Sequence, residues 1–416
     1  GYLADAQEFG LAIERVIETH FHADFLSGHL ELAHATGAVI SYGEAANPEF
    51  AVELLADGQI LSLGNVTLQI LATPGHTPES ISIVVKEHAD DAVPYGVLTG
   101  DTMFIGDVGR PDLLTSVGVS ADELASQLYD SLHHKLLTLP DATRVFPAHG
   151  AGSSCGKKLS NETESTIGVQ RSTNYALAPM TKDEFIEAVT QGQSVAPLYF
   201  SFSAMRNKMD RPLLDESESP ALLSLDEVLG ARARGAKVLD TRDSVEFHVG
   251  HLEGSLNVPL AGRFAEYVGE VIRNDSDIVL VSTPGSESDA RVRLARIGFD
   301  RVIGALREPL AVFHEHPQVV VRSSRLTVHE FNERRDSVSN LQVIDVRMPS
   351  ETELGTVVDA KLLPLPQLIT QLDMLHKDQP IVVYCESGVR SSIAASALRS
   401  EGFIDVSDVI GGYGAL

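Results

Sequence analysis

Residues 19–33 read THFHADFLSGHLELA, in which His20, His22 and Asp24 stand at alternate positions and Phe25 follows the aspartate. Imidazoles and a carboxylate packed this closely suit a divalent metal. The preceding AIERVIETH (12–20) alternates as a strand ending at the first histidine, and YLADAQEFG (2–10) before it reads as a helix. Downstream come short β-rich runs, GAVISYG (37–43), NVTLQILATPG (65–75), SISIVVKE (80–87), YGVLTGD (95–101) and TRVFPAHG (143–150), each closing on Gly, Pro or a polar cluster. Thr19, Thr73, Thr99 and Phe146 each stand just ahead of a further candidate ligand: His20, His76, Asp101 and His149. The ligands therefore gather at strand ends, where a rigid sheet presents loops to a shared cleft.

With 416 residues the chain is too long for one ordinary core, and two or three domains are expected. A hydrophobic share of 43% beside 22% charged residues is that of a globular protein, and no apolar run reaches the roughly 20 residues that span a bilayer. A formal net charge of -26, from 32 Lys plus Arg against 58 Asp plus Glu, argues against nucleic acid and a membrane surface as partners. Nothing resembles a signal peptide, and the two cysteines, Cys155 and Cys385, make no disulfide framework; a reducing cytoplasm is the expected compartment.

GAGSSCGKKLSNETES (150–165) reads as loop passing into helix, TKDEFIEAV (181–189) as a helix with Thr181 at the N-cap and Glu184 completing a capping box, and RPLLDESESP (211–220) as an acidic linker. The main border is set near residue 216. Beyond it an internal repeat runs with a period of about 104 residues. KVLDTRDSVEF (237–247) matches QVIDVRMPSET (342–352), DIVLVSTPGS (277–286) matches PIVVYCESGV (380–389), and RIGFDRVIGAL (296–306) matches SEGFIDVSDVIGGYGAL (400–416). Buried-looking strands separated by helix-rich stretches predict parallel α/β sheets. The chain opens in mid-fold and its last copy stops where a final helix is expected, so both ends read as incomplete.

THxHxD, TPGHT, TGD and PAH, in that order, resemble the metallo-β-lactamase superfamily, whose αββα sandwich carries metal at one edge. The resemblance implies His20, His22 and His76 as a first site, Asp101 as a bridge, and Asp24, the next residue and His149 as a second site. Phe25 removes one ligand from that second site. A two-metal hydrolase needs both ions, whereas two histidines and one aspartate on one ion suffice for activating dioxygen. The segment most resembles the persulfide dioxygenases, which implies one Fe(II) per chain, or zinc in the alternative, on His20, His76 and Asp101, with His22, Asp24 and His149 orienting waters or ligands. His29, His34, His88, His133 and His134 are read as surface or core residues. GDVGRPDL (106–113) resembles the same subgroup, so Arg110 and Asp112 either shape the wall near the metal and bind substrate or brace a loop. Cys155 lies six residues past His149, within reach of the cleft mouth, and is expected either to handle substrate sulfur or to be a structural thiol.

VVYCESGVRSS (382–392) resembles the active loop of rhodaneses, the sulfurtransferases. Cys385 is the expected nucleophile, with Glu386, Ser387, Gly388, Val389, Arg390 and Ser391 forming a ring of donors for anionic sulfur. Related phosphatases place five residues between Cys and Arg; the four here, Glu386 to Val389, favour sulfur transfer. Asp345 and Arg347 match a buried pair of the family that braces the fold. The first copy keeps LDTRDSVEFHVGHLEGSLNVPL (239–260), including Asp240, Arg242, His251 and Asn257, but has Ser282 in place of the cysteine and no loop arginine. A serine without a base cannot carry persulfide sulfur, so this copy is expected to be inert. The second copy reads ELGTVVDAKLLPLP (353–366) where the first has GHxxGSxNVP, which puts its loop geometry in question.

The expected architecture is α/β and multidomain: residues 1–215 an αββα sandwich, 216–318 a degenerate rhodanese-like domain and 319–416 a rhodanese domain with its cysteine. The resemblance implies oxidation of a low-molecular-weight thiol persulfide by O2 to sulfite, coupled to thiosulfate formation through Cys385, and a homo-oligomer is allowed. The alternatives are a dinuclear zinc thioesterase or lactonase of the glyoxalase II kind and a non-enzymatic sulfur carrier or scaffold.

Overall fold

The computed structural model describes residues 1–113, 115, 118–157, 159–353 and 355–416; Lys158 of the 150–165 loop and Leu354 of the 353–366 stretch lie outside the described residues. The chain forms two compact units, Gly1–Ser194 with Phe200–Leu214, and Val195–Tyr199 with Asp215–Leu416.

In the first unit, a six-stranded sheet runs in the order Ile60–Leu63, Val66–Ala72, Ile81–Lys86, Gly96–Gly100, Arg144–Pro147, Ser165–Thr166. Among its described strands, Gly96–Gly100 and Arg144–Pro147 pair in parallel and the other neighbours antiparallel. A smaller parallel sheet joins Arg15–Ile17, Val39–Gly43 and Glu53–Leu55. The period of two in the strands assigns the layers. Ile70, Ile81 and Ile83 turn toward Leu55 and Ile17 of the small sheet, while their neighbours Leu71 and Val84 turn the other way. On that other face Val84, Val97 and Val145 meet Leu128 and Leu132 of helix Ala121–His134 and Phe185 of helix Lys182–Thr190. On the far side of the small sheet, Ile40 and Tyr42 pack with Leu30 of helix His29–Thr36. Helix, sheet, sheet and helix make the expected αββα sandwich.

The second unit holds two five-stranded parallel sheets. Their strand orders correspond position by position: Leu222–Leu223, Val302–Leu306, Ile278–Val281, Lys237–Asp240, Leu256–Asn257 in one, and Ser324–Leu326, Val406–Val409, Ile381–Tyr384, Gln342–Asp345, Lys361–Leu362 in the other. Ile278–Val281 and Ile381–Tyr384 are buried along their whole length, as strands covered on both faces must be. Lys361–Leu362 pairs with Ile344 and Asp345 just as Leu256–Asn257 pairs with Leu239 and Asp240, so the altered 353–366 stretch preserves this pairing.

Thr181 and Glu184 form the expected capping box. Two further boxes, Ser224 with Glu227 and Thr327 with Glu330, open the first helix of each copy. Each ties down backbone N–H groups that the first helical turn leaves unpaired. Among the described residues, no helix is long and apolar enough to cross a membrane.

Candidate metal centre and thiol loop

The first candidate site sits where the loops of the sandwich meet. His20 follows strand Arg15–Ile17, His76 lies in the turn between Val66–Ala72 and Ile81–Lys86, Asp101 directly follows Gly96–Gly100, and His149 follows Arg144–Pro147. Two glycines permit the approach. A Cβ on Gly75 would lie 2.4 Å from Leu128 Cβ, and one on Gly109 would lie 1.9 Å from the Asp101 carbonyl oxygen and 3.0 Å from His76 Nδ1.

His20, His76 and Asp101 are all buried, and their ligand-capable atoms lie within 4.8 Å of one another. His20 Nε2 is 3.7 Å and His76 Nε2 3.4 Å from Asp101 Oδ2. The opposite ring nitrogens are engaged: His20 Nδ1 lies 2.9 Å from Thr19 Oγ1, and His76 Nδ1 lies 3.0 Å from the Arg110 carbonyl oxygen. Such outer partners fix a ring so that its remaining nitrogen faces a metal. Among the described residues, His20 Nε2, His76 Nε2 and both Asp101 oxygens are buried without a hydrogen-bond partner. Leaving four such atoms unpaired is costly, and a cation among them relieves the cost. Burial alone penalises the Asp101 carboxylate, yet His20, His149 and His76 outweigh it and hold its pKa far below the usual range. This donor set fits zinc or nonheme iron.

His22, Asp24 and His149 form a second cluster, also within 4.8 Å, at its edge. His149 Nε2 lies 3.3 Å from Asp24 Oδ2 and 3.5 Å from Asp101 Oδ2. Burial works against its charge, but Asp101 and Asp24 prevail and raise its pKa to about 9. Phe25, beyond Asp24, stacks on the His22 ring.

Cys155 is buried rather than at the cleft mouth, and its sulfur joins Asp101 and His149 within the same 4.8 Å. The loop is drawn inward because Arg110 donates from its backbone N–H to the Cys155 carbonyl at 2.9 Å and from Nη1 to the Ser154 carbonyl at 3.2 Å. Burial, then Asp101 and Asp24, push the Cys155 thiol well above its ordinary pKa. Arg110 also grips Asp112 through two bonds of 2.7 and 2.8 Å, so the pair does brace a loop, and its own carbonyl orients His76.

Sequence reading missed Glu18. This buried carboxylate is 3.3 Å from His22 Nε2 and accepts from Ser27 Oγ. Its position, two residues before His20 in an alternating strand, was the available signal. His29 is buried against Tyr42 and Phe50, with Nδ1 3.8 Å from Glu18, but among the described residues neither of its ring nitrogens has a hydrogen-bond partner.

In the second unit Cys385 is fully buried at the end of Ile381–Tyr384, and helix Val389–Ser400 starts just beyond it. The Gly388 N–H donates to Cys385 Sγ at 3.2 Å, and Ser391 Oγ lies 3.6 Å from the sulfur. Gly388 has a φ of 92°, a left-handed conformation that turns its N–H inward at little cost. Arg390 does not extend freely over the loop: it makes a two-pronged pair with Glu351 at 2.6 and 2.7 Å. Arg347 binds Asp345 at 2.8 Å and Glu386 at 3.1 Å. In the other copy Ser282 accepts from Thr241 Oγ1 at 2.8 Å, and Asp240 clasps Arg242. Ser387 and Val389 complete the loop, Val389 as the first residue of the helix.

The rhodanese-like domain family matches residues 224–308 and 327–416. The mitochondrial persulfide dioxygenase ETHE1 of Bos taurus is 29% identical over 209 residues, covering 49% of this chain and 72% of that protein. A β-lactamase hydrolase-like protein of Xylella fastidiosa is 29% identical over 203 residues, 44% of this chain and 43% of its own length. The crystal structure of a metallo-β-lactamase from Staphylococcus aureus is 32% identical, with a TM-score of 0.64 over 73% of this chain and 87% of that one. The chain thus belongs to the proteins that fuse a metallo-β-lactamase-fold domain to a pair of rhodanese-like domains.

Proposed function

We propose that this chain oxidises a low-molecular-weight thiol persulfide with O2 and passes sulfane sulfur through Cys385. The first reaction is assigned to residues 1–215, the second to 319–416, with 216–318 catalytically silent. The observation that carries the reading is the convergence of unpaired buried atoms from His20, His76 and Asp101 beside a second cluster in which Phe25 stands next to Asp24. His20, His76 and Asp101 would hold one iron, which when bound supplies the electron transfer to dioxygen that protein side chains lack. Thr19 and the Arg110 carbonyl keep the two rings aimed, while the Arg110–Asp112 pair holds the loop that carries that carbonyl.

The balance is persulfide, O2 and water giving thiol and sulfite. At the other site the Cys385 sulfur attacks the outer sulfur of a second persulfide; the donor's S–S bond breaks and free thiol leaves with the proton. Sulfite then attacks the sulfur carried on Cys385, giving thiosulfate and restoring the thiol.

A dinuclear zinc thioesterase or lactonase is the second reading, favoured by the proximity of His22, Asp24 and His149. Anaerobic reconstitution with Fe(II) or Zn(II), metal analysis and an oxygen electrode separate the two. One iron per chain with O2 uptake on glutathione persulfide supports oxidation. Two zincs with thioester cleavage and no O2 uptake would overturn it.

A further inference from the structure

The loop that carries Cys385 is gripped through its backbone by the turn after strand Val406–Val409. Tyr413 donates its N–H to the Cys385 carbonyl at 2.6 Å, and Gly414 donates to the Glu386 carbonyl at 3.0 Å. Gly412, just ahead of these donors, has φ 63° and ψ -152°, a conformation essentially confined to glycine. A Cβ there would lie 2.2 Å from the Cys385 carbonyl oxygen and 2.7 Å from the Glu386 carbonyl carbon. A Cβ on Gly388 would lie 3.0 Å from the Gly411 nitrogen, so the residue whose N–H meets the Cys385 sulfur rests against the same turn. Arg347, which binds Glu386, lies 4.0 Å over the Tyr413 ring. The turn therefore meets the loop at Cys385, Glu386 and Gly388.

The silent copy is built differently here. Leu280 pairs with Ala305 as Val383 pairs with Asp408, so Glu308 and Pro309 stand in the places of Gly411 and Gly412. Glu308 keeps a left-handed conformation, with φ 45° against 79° for Gly411. Pro309, however, has no N–H and opens helix Pro309–Glu315, and Leu310, in the place of Tyr413, is exposed. The cysteine and the paired glycines thus occur together in one copy and are replaced together in the other.

A trans peptide points its C=O and N–H in opposite directions. Holding the Cys385 and Glu386 carbonyls on the turn therefore fixes which way the N–H groups of Glu386 and Ser387 face. We propose that Gly411, Gly412 and the N–H groups of Tyr413 and Gly414 are the positioning element of the thiol loop: they act on the loop and not on the donor, and keep its successive N–H groups turned toward the sulfur that Cys385 gains and loses. This rests on Cys385 being the sulfur carrier. In loading, the bond from Cys385 to the transferred sulfur forms as the donor's S–S bond breaks, and the thiol leaves with the proton. N–H groups already turned inward stabilise the negative charge on sulfur during that exchange without rearranging.

The test follows single-turnover loading of the reduced full chain by excess glutathione persulfide. Quenched samples and mass spectrometry give both the rate constant and the final fraction of Cys385 peptide that has gained sulfur. Gly412→Ala is expected to lower the rate constant at least about tenfold. Gly402→Ala is the control, because Gly402 has φ 88° and alanine strains this copy there too, while the nearest neighbour of its Cβ is Lys377 Nζ at 3.9 Å. Its rate constant should stay within about twofold of wild type, since a chain that is merely destabilised loses final fraction and not rate constant. Tyr413→Pro removes the N–H offered to Cys385, Tyr413→Ala keeps it, and the fixed φ of proline suits the start of the 3₁₀ turn Tyr413–Ala415. The proline variant is expected to load at least about fivefold more slowly than the alanine one, and this pair decides if Gly412→Ala does not fold. Loading of Gly412→Ala at the control's rate, or of the two Tyr413 variants alike, would overturn the positioning role while leaving Cys385 as carrier. A wild type that gains no sulfur on Cys385 would overturn the carrier role and the positioning role with it.

Discussion

The rings of Phe25 and His22 are stacked, with centroids 4.4 Å apart and planes inclined by 27°. His22 is held from behind by Glu18 at 3.3 Å, so Phe25 presses against a ring whose orientation is already set. A partly exposed hydrocarbon ring therefore stands against His22 at the position after Asp24, where the superfamily resemblance calls for an imidazole.

Restoring that imidazole should restore the second site. Phe25→His is expected to raise zinc stoichiometry from one to two per chain, because a further nitrogen then joins Asp24, His149 and Asp101. Equilibrium dialysis against Zn(II) followed by elemental analysis measures it. Unchanged stoichiometry would mean that Phe25 is not what limits the site.

The two chemistries should come apart by mutation. Cys385→Ser is expected to abolish thiosulfate formation while O2 uptake stays within about twofold, with sulfite accumulating instead; a single lost nucleophile usually costs several orders of magnitude in its own reaction. His76→Ala should do the reverse, emptying the metal centre and stopping O2 uptake while Cys385 still accepts sulfur. Oxygen-electrode traces beside thiosulfate and sulfite assays decide, with sulfite supplied to His76→Ala; loss of O2 uptake in Cys385→Ser, or of thiosulfate formation from persulfide and added sulfite in His76→Ala, would refute separate sites.

Much of this was legible in the sequence because the period-two strands and their ligand-bearing ends are local patterns. The Thr181–Glu184 box, the strand repeat at 237–247 and 342–352, and the strand-end placement of His76, Asp101 and His149 all follow from spacing. Glu18 was only half legible: its place in the alternating run could be seen, but what makes it matter is burial against His22, which is set by how the loops pack. The burial of Cys155 depended likewise on bonds from Arg110, 45 residues away in sequence by numbering, whose partners no motif predicts.

The buried Asp240–Arg242 pair of the silent copy should carry stability rather than chemistry. Both side chains are almost wholly enclosed, and Arg242 also donates to the Gly250 carbonyl at 3.0 Å. Arg242→Met leaves the Asp240 carboxylate buried without its partner and is expected to cost about 3–5 kcal/mol, whereas replacing both residues by apolar ones should recover most of the loss. Thermal or urea unfolding of the single and double variants checks this. A single variant as stable as the double one would show that Asp240 is satisfied by other groups.

His251 gives the same copy a pH dependence of known sign. Its ring stacks on Phe247 with centroids 3.7 Å apart, and its Nδ1 lies 2.7 Å from the Phe247 carbonyl oxygen. Burial is the main cause that lowers its pKa; the Phe247 carbonyl opposes it, and Arg399, Arg242 and His248 add to it, leaving the group at about 4. The unfolded chain, with an ordinary histidine pKa near ~6.5, takes up a proton first as the pH falls. The contribution to stability is therefore fully present above that value, shrinks through the window from ~6.5 down to about 4, and amounts to about 2 kcal/mol lost by pH ~5. Carboxylates elsewhere also titrate in this range, so the measurement is a difference: urea midpoints of wild type and His251→Gln at neutral pH and at pH ~5. The glutamine variant should lose less stability on acidification than wild type. Equal losses would mean that His251 carries no net proton linkage, and that the charges around its ring compensate one another in the folded chain.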